Sequence, residues 1–387
     1  MADRPDRIAI VLPNLAGGGV ERVRLLLAEQ FLAQGYAVDF VLAEPRGELI
    51  EDVPEGCRII SLDAPRLLWV PWRLSRYVRR ERPDAMLAAL WPLTGLAGLA
   101  LRLARSNIPL VVSEHNDFRK MPSIKPFERR LLKLFGPWLY GRAARVAAVS
   151  RGVKESLVEA ARLAPGSIEV IHNPIRQSGS DHPDSADREL LQWWGEGAIK
   201  LIAVGSLKPQ KDYPTLLRAL RRVRQDREAR LIVLGEGPER SRLEALARSE
   251  GLAEAVRFPG FRAEPYPFLK QADLFVLSSQ WEGLGNVITE ALLCGCPVVA
   301  TDCPSGPAEL LDGGRYGTLV PVADPEALAT AVTEVLARPH DPSPGIAWAR
   351  MAVRVAPGSS EVMRSAVRCV SPAQVRASAS TAALEAE

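Results

Sequence analysis

The sequence predicts an α/β protein made of two successive doubly wound domains. Two observations carry this. A short apolar run at residues 8–12 is followed by three glycines, a helical pattern and a second apolar run. That is the order of a βαβ unit, which implies parallel strands. The same alternation starts afresh at Leu201, after a polar stretch rich in Ser and Asp at about residues 174–197. At 387 residues the chain is long enough for two domains with full cores.

Each element follows from its own pattern. Residues 8–12 read as the first strand, and Gly17, Gly18 and Gly19 as the loop after it. A helix starts near Val20, repeats its apolar positions at Val23, Leu26, Leu27 and Phe31, and stops at Gly35. Residues 36–42, 85–89, 110–113, 145–149 and 168–171 read as further strands. In the second half, strands are expected at 201–205, 231–235, 256–258, 274–277 and 298–300. Helices are expected at 213–225, 239–249, 265–271, around Glu290, and at 325–337. The domain reading is therefore residues 1–175, a linker at 176–198, residues 199–344, and an atypical tail at 345–387. That tail is rich in Ala, Ser, Val and Arg with weak periodicity. It reads as frayed, or as the product of a reading frame altered near Pro344.

Composition narrows the class. Apolar content of 47% and charged content of 25% are ordinary for a globular protein. No run of eighteen apolar residues is present, and the start MADRPDRIAIVLP lacks a signal-peptide pattern. Five scattered cysteines argue for reduced thiols, so a cytoplasmic location is expected. Net charge is +3, unevenly spread: residues 58–145 hold 17 Lys and Arg against 6 Asp and Glu. Trp69, Trp72 and Tyr77 lie among Arg73, Arg76, Arg79, Arg80 and Arg82. Phe127, Phe135, Trp138 and Tyr140 lie among Lys125, Arg129, Arg130, Lys133 and Arg142. Basic and aromatic residues at helical spacing suit an anionic membrane surface. They also suit a solvated amphipathic helix with its Trp side chains in the core, and the sequence leaves both open. No nucleic-acid module is present, and nucleic acid is not an expected partner.

Residues 279–302, SQWEGLGNVITEALLCGCPVVATD, carry the most chemistry. A Gly-punctuated loop opens a short helix there. Free N–H groups at the positive end of a helix suit a phosphate. Gly283 and Gly285 let backbone approach a ligand closely. Glu290, inside the helix, is placed to accept hydrogen bonds from sugar hydroxyls, and Glu282, at the loop mouth before it, can face a second group. A phosphate cradle with two carboxylates reads as a nucleotide-sugar site. Gly17 to Gly19 lack the G-x-G-x-x-G spacing of a dinucleotide loop, which argues against a nicotinamide oxidoreductase. No Asp-x-Asp pair occurs in the chain.

Residues 282–301 match, nearly position by position, the run E-G-F/L-G-x-x-x-x-E-A-M/L-A-x-G-x-P-V-V-A-T. The chain therefore resembles the retaining glycosyltransferases of family 4, from about residue 8 to residue 337. The resemblance implies the GT-B fold, two Rossmann-like domains facing a central cleft. It implies retaining transfer of a sugar from a UDP- or GDP-sugar to a glycan or polyprenyl-linked acceptor in polysaccharide biosynthesis, with no metal cofactor. It implies that Lys211, in the run Gly205-Ser206-Leu207-Lys208-Pro209-Gln210-Lys211, neutralises the donor pyrophosphate. Many family members carry Arg where Ser206 stands, so one expected cation is missing, with Lys208 nearby.

By the same resemblance, Glu282 grips the donor sugar and Glu290 the ribose. The backbone of Gly283, Leu284, Gly285, Asn286 and Val287 supports the leaving phosphates. Phe258 and Phe261 flank the turn for the nucleobase, and Gly18 and Gly19 lie against the pyrophosphate. His115, in VVSEHN just after a strand, joins Lys211 and Glu282 as the catalytic set. Ser150 and Asn173 match segments with a structural role. The alternative is a non-catalytic GT-B protein that binds nucleotide-sugar without turnover, suggested by Ser206 and the odd tail.

Overall fold

The computed structural model describes residues 6–121, 124–176, 185–195 and 197–352. They form two compact units that part between Pro174 and Ile175. The first unit runs β1 (Arg7–Leu12), α1 (Gly19–Ala33), β2 (Ala37–Leu42), β3 (Arg58–Ser61), α2 (Val70–Glu81) and β4 (Ala85–Ala89). It continues with α3 (Leu93–Ala104), β5 (Leu110–Glu114), α4 (Pro126–Tyr140), β6 (Arg145–Ala148), α5 (Arg151–Ala161) and β7 (Ile168–Val170). The strands are all parallel, in the order β3-β2-β1-β4-β5-β6-β7. Central strands such as β4 and β5 are buried at every position, as expected where helices cover both faces.

The second unit runs α6 (Ser185–Trp194), β8 (Ile199–Val204), α7 (Tyr213–Val223), β9 (Ala229–Leu234), α8 (Arg240–Ser249), β10 (Val256–Gly260) and α9 (Tyr266–Leu269). It continues with β11 (Leu274–Leu277), α10 (Asn286–Leu293), β12 (Val298–Thr301), α11 (Pro307–Leu310), β13 (Thr318–Val320), α12 (Pro325–Leu336) and α13 (Ser343–Ala352). Its parallel sheet has the order β10-β9-β8-β11-β12-β13. Leu216 and Leu220 of α7 and Leu328 and Val332 of α12 form the core with Leu201 and Val299 of the sheet. Each sheet reverses its winding once, between β1 and β4 and between β8 and β11. In doubly wound sheets such switch points lie beside ligand sites.

The strands expected from the sequence are all present. Two short strands were not expected: β3 is a half-exposed edge of four residues, and β13 has three. α3, LTGLAGLALRLA, is too uniformly apolar to show a helical period. The stretch read as linker contains α6, anchored by fully buried Trp194 against Phe268 and by Asp187, which accepts from Arg262 at 2.7 Å. Residues 177–184 and 196 of that stretch lie outside the described residues.

The start of the predicted tail is likewise corrected. α13 packs on α10, Trp348 Nε1 donates to the Leu310 carbonyl at 2.7 Å, and Trp348 stacks on Tyr316. Residues 353–387 lie outside the described residues. Among the described residues, no helix is long and apolar enough to cross a membrane.

Candidate active site

Two loops come together at the switch point of the second sheet, one leaving β8 and one leaving β11. They are cross-braced. Gln210 Nε2 donates to the Trp281 carbonyl at 2.7 Å, and the Gln280 N–H donates to the Gln210 carbonyl at 2.8 Å. Ser278 Oγ donates to the Lys211 carbonyl at 2.7 Å. The bracing sets Lys211 Nζ 2.6 Å from Glu282 Oε1, with both side chains largely buried. Ser279 Oγ donates to the same carboxylate oxygen at 2.6 Å, and the Ser279 carbonyl accepts from Thr301 Oγ1 at 2.6 Å. A Cβ at Gly205 would sit 2.9 Å from Lys211 Cε, so the glycine leaves room for the lysine stem. Both loops thus hold the pair in place, and charge-assisted bonds of this kind are the strong ones.

The loop continues through Gly283 and Leu284 to Gly285, the N-cap of α10. Gly285 has φ +85°, a left-handed conformation that favours glycine. Asn286 and Val287 then open the helix, and the Ile288 N–H donates to the Gly285 carbonyl at 2.9 Å. Glu290 follows one turn on, partly exposed, while Leu284 and Val287 are buried.

Ser206 lies in the β8 loop, where its carbonyl accepts from the Lys208 N–H at 2.9 Å. Phe258 and Phe261 flank the end of β10. Their carbonyls accept from Arg240 and Arg262 respectively. Gly235 and Gly237 pack backbone on backbone. A Cβ on the second would lie 2.4 Å from the Leu207 carbonyl oxygen, which gives these glycines a packing role.

The first unit holds Gly18, Gly19 and His115. Gly18 is the N-cap of α1, and a Cβ there would collide with the Glu21 carboxylate. His115 is buried just beyond β5. Its Nε2 lies 3.1 Å from a guanidinium nitrogen of Arg24 and 3.0 Å from Ser113 Oγ. Burial and the adjacent Arg24 cation hold the imidazole well below the ordinary histidine range. Beside it, Glu114 accepts from Thr94 Oγ1 at 2.5 Å, Tyr140 Oη at 2.6 Å and the Trp91 N–H at 3.1 Å. Burial pushes its carboxyl up to about 7. Ser150 caps α5, its Oγ accepting from the Val153 N–H at 3.2 Å.

The second unit therefore gathers Lys211, Glu282, Ser206 and the residue 283–290 segment, and pairs the first two directly. Sequence reasoning gave Lys211 and Glu282 separate tasks and missed Ser279, Gln210 and Arg24. Arg24 did carry a signal: it is a charge on the apolar stripe of α1.

Exposure decides the aromatic question for the basic region. Trp69, Trp72 and Trp138 are 52%, 48% and 50% exposed, so their place is the surface and not the core. Phe127, Phe135, Leu68 and Leu134 are exposed as well. Tyr77 and Tyr140 are the exceptions: both are buried, with their hydroxyls on Asp39 and Glu114. α2 packs on α3 and α3 on α4. Arg102 of α3 lies over the Trp138 ring at 4.2 Å, and Arg76 over Trp72 at 4.9 Å.

Two parallel-sheet Rossmann-like domains with a paired Lys and Glu at the second switch point define a GT-B architecture. Residues 17–178 match the family model described as Glycosyltransferase Family 4, and residues 198–338 the one described as Glycosyl transferases group 1. The chain belongs to this glycosyltransferase family, group 1, family 4. It is 30% identical to a GDP-mannose-dependent alpha-mannosyltransferase of Mycobacterium tuberculosis, over 85% of this chain and 88% of that protein.

It is 27% identical to a Campylobacter jejuni enzyme, over 85% of this chain and 90% of the relative. That enzyme is named N-acetylgalactosamine-N,N'-diacetylbacillosaminyl-diphospho-undecaprenol 4-alpha-N-acetylgalactosaminyltransferase. Anabaena HepE, solved in complex with UDP-glucose, shares the fold with a TM-score of 0.72 and 22% identity, over 97% of this chain and 99% of HepE.

Proposed function

We propose that this glycosyltransferase transfers a sugar, with retention, from a UDP- or GDP-sugar to a lipid-linked or surface-polysaccharide acceptor, without a divalent metal. The observation that carries the reading is the buried Lys211–Glu282 pair at the second switch point, one loop away from the N-terminus of α10. Lys211 is the cation for the donor pyrophosphate, and the α10 N-terminus adds backbone N–H groups and the positive end of the helix dipole. Glu282 turns from Lys211 to the donor sugar hydroxyls, and Glu290 accepts from the ribose. Ser206, Phe258, Phe261, Gly18 and Gly19 complete the donor contacts. On the first unit, His115 contributes a neutral hydrogen-bonding group. The acceptor reading is supported by the diphospho-undecaprenol named for the Campylobacter relative. It is supported further by the exposed basic and aromatic face of α2 to α4, for which we propose an anionic membrane on its cytoplasmic side as partner.

A thermal-shift screen of UDP- and GDP-sugars tests the donor, because a ligand that binds only the folded state raises Tm. With the donor so found, Glu290→Gln should weaken binding by about 1–3 kcal/mol, the scale of a hydrogen bond to a charged group. Unchanged donor affinity in this variant removes Glu290 from the site. Metal independence has its own assay. Lys211 and the α10 N-terminus supply the positive charge that an Asp-x-Asp enzyme takes from a cation. Activity after dialysis should therefore persist in excess EDTA. Activity lost in EDTA and restored by manganese would overturn this charge balance.

A further inference from the structure

Arg24 is the unexpected residue of α1. Val23, Leu27 and Phe31 carry the buried stripe of this helix, and Arg24 sits among them at 3% exposure. Among the described residues its guanidinium makes no ion pair. Its hydrogen bonds go to two neutral groups, Ser113 Oγ and His115 Nε2. Burial pulls its pKa down to about 10, opposed by the charge of Glu21 one turn earlier. A buried cation without a carboxylate in contact is expensive, so its presence calls for a reason.

His115 supplies one. A guanidinium has donors and no acceptor, so Nε2 must accept. A neutral ring that accepts at Nε2 carries its proton on Nδ1. His115 Nδ1 is buried and has no hydrogen-bond partner among the described residues. An unsatisfied buried N–H is costly unless something uses it. The surroundings hold the ring neutral. A cavity of about 50 Å³ is lined by Arg24, His115, Ser113, Leu27, His172 and Asn173, among other residues. The neighbouring carboxylates are engaged elsewhere, Glu114 with Thr94 and Tyr140, and Asp117 with Arg119 at 2.7 Å.

We propose that Arg24 is a positioning residue that fixes His115 as the neutral Nδ1–H tautomer, leaving that N–H for an oxygen of the bound substrate. His115 is then a fixed hydrogen-bond donor and not a group that shuttles protons. This rests on the reading that His115 takes part in transfer.

Nitrogen-15 histidine NMR of the full chain tests it, with the His115 signal assigned by its loss in His115→Gln. Wild type should show a protonated Nδ1 and no titration between about pH 5.5 and 8. Arg24→Gln keeps an N–H donor but removes the charge. It should keep the tautomer while His115 begins to titrate inside that window. Arg24→Met removes both, and the tautomers should mix. In donor-saturated assays, kcat of Arg24→Met should fall by roughly 10²-fold with little change in KM, the cost of a misplaced reacting group. Arg24→Gln should acquire a pH-dependent kcat that wild type lacks. Melting curves identify a variant that fails to fold, and the Gln variant is the conservative control.

An Nε2–H tautomer in wild type overturns the proposal, as does a His115 titration identical in all three proteins. Wild-type turnover in His115→Gln would instead overturn the functional reading of His115, while the NMR would still judge what Arg24 does.

Discussion

Lys211→Ala is expected to lower kcat/KM for the nucleotide-sugar by roughly 10²–10³-fold, the effect of removing one preorganised group from a developing anion. In the proposed reaction the leaving group is a nucleoside diphosphate, whose negative charge grows as the glycosidic bond breaks. The Lys211 backbone is held by Ser278, and its loop is braced to the β11 loop by Gln210, so the lysine is already carried to the place where that charge appears. The same substitution also removes the counterion of Glu282, which is 7% exposed. Stability should therefore fall by about 3 kcal/mol, the lower end for breaking a buried pair, because Ser279 still donates to the stranded carboxylate.

The two effects separate in the variant Lys211→Ala/Glu282→Gln. Its melting temperature should return toward wild type and its rate should not. Steady-state kinetics and denaturant titration measure the two quantities. A kcat/KM within a fewfold of wild type in Lys211→Ala would remove the lysine from the site.

The pairing of Lys211 with Glu282 shows where sequence reasoning stops. Each residue was legible by itself, one in a Gly-rich loop after a strand and the other in a loop that opens a helix. Their contact was not, because the two are 71 residues apart and β9 and β10 intervene. Only the sheet order, with β11 beside β8, brings them together. The strands were readable because buried parallel strands are continuous apolar runs. β3 and β13 escaped because three or four residues give a pattern no length to repeat. Trp69, Trp72 and Trp138 could not be placed inside or outside from spacing, since a helix face does not say which neighbour covers it. α13 was hidden for the converse reason: its contacts, Trp348 on Tyr316 and on Leu310, depend on partners distant in sequence.

The exposed face of α2 to α4 yields the second large effect. The full chain should sediment far more strongly with vesicles containing anionic phospholipid than with purely zwitterionic ones. Residues 58–145 carry a net charge of +11, from 17 basic and 6 acidic residues. Arg76, Arg79 and Arg80 are exposed on α2, and Arg130 and Lys133 on α4. Each basic residue near such a surface contributes about 1 kcal/mol. Arg76→Gln/Arg79→Gln/Arg80→Gln should thus cost about 3 kcal/mol, or roughly two decades in vesicle affinity.

Salt should weaken binding, because the attraction fades over a Debye length of about 10 Å at 0.1 M. A salt-resistant remainder should persist, carried by the half-exposed Trp69, Trp72 and Trp138, whose rings favour the membrane interface. Trp69→Ala/Trp72→Ala/Trp138→Ala should remove that remainder and leave the salt-sensitive part. Donor hydrolysis in the absence of vesicles should be unchanged in both triple variants, since none of these residues belongs to the Lys211–Glu282 site. Equal sedimentation with neutral and anionic vesicles would defeat the electrostatic account, and absence of sedimentation with either would remove the membrane as a partner of this face.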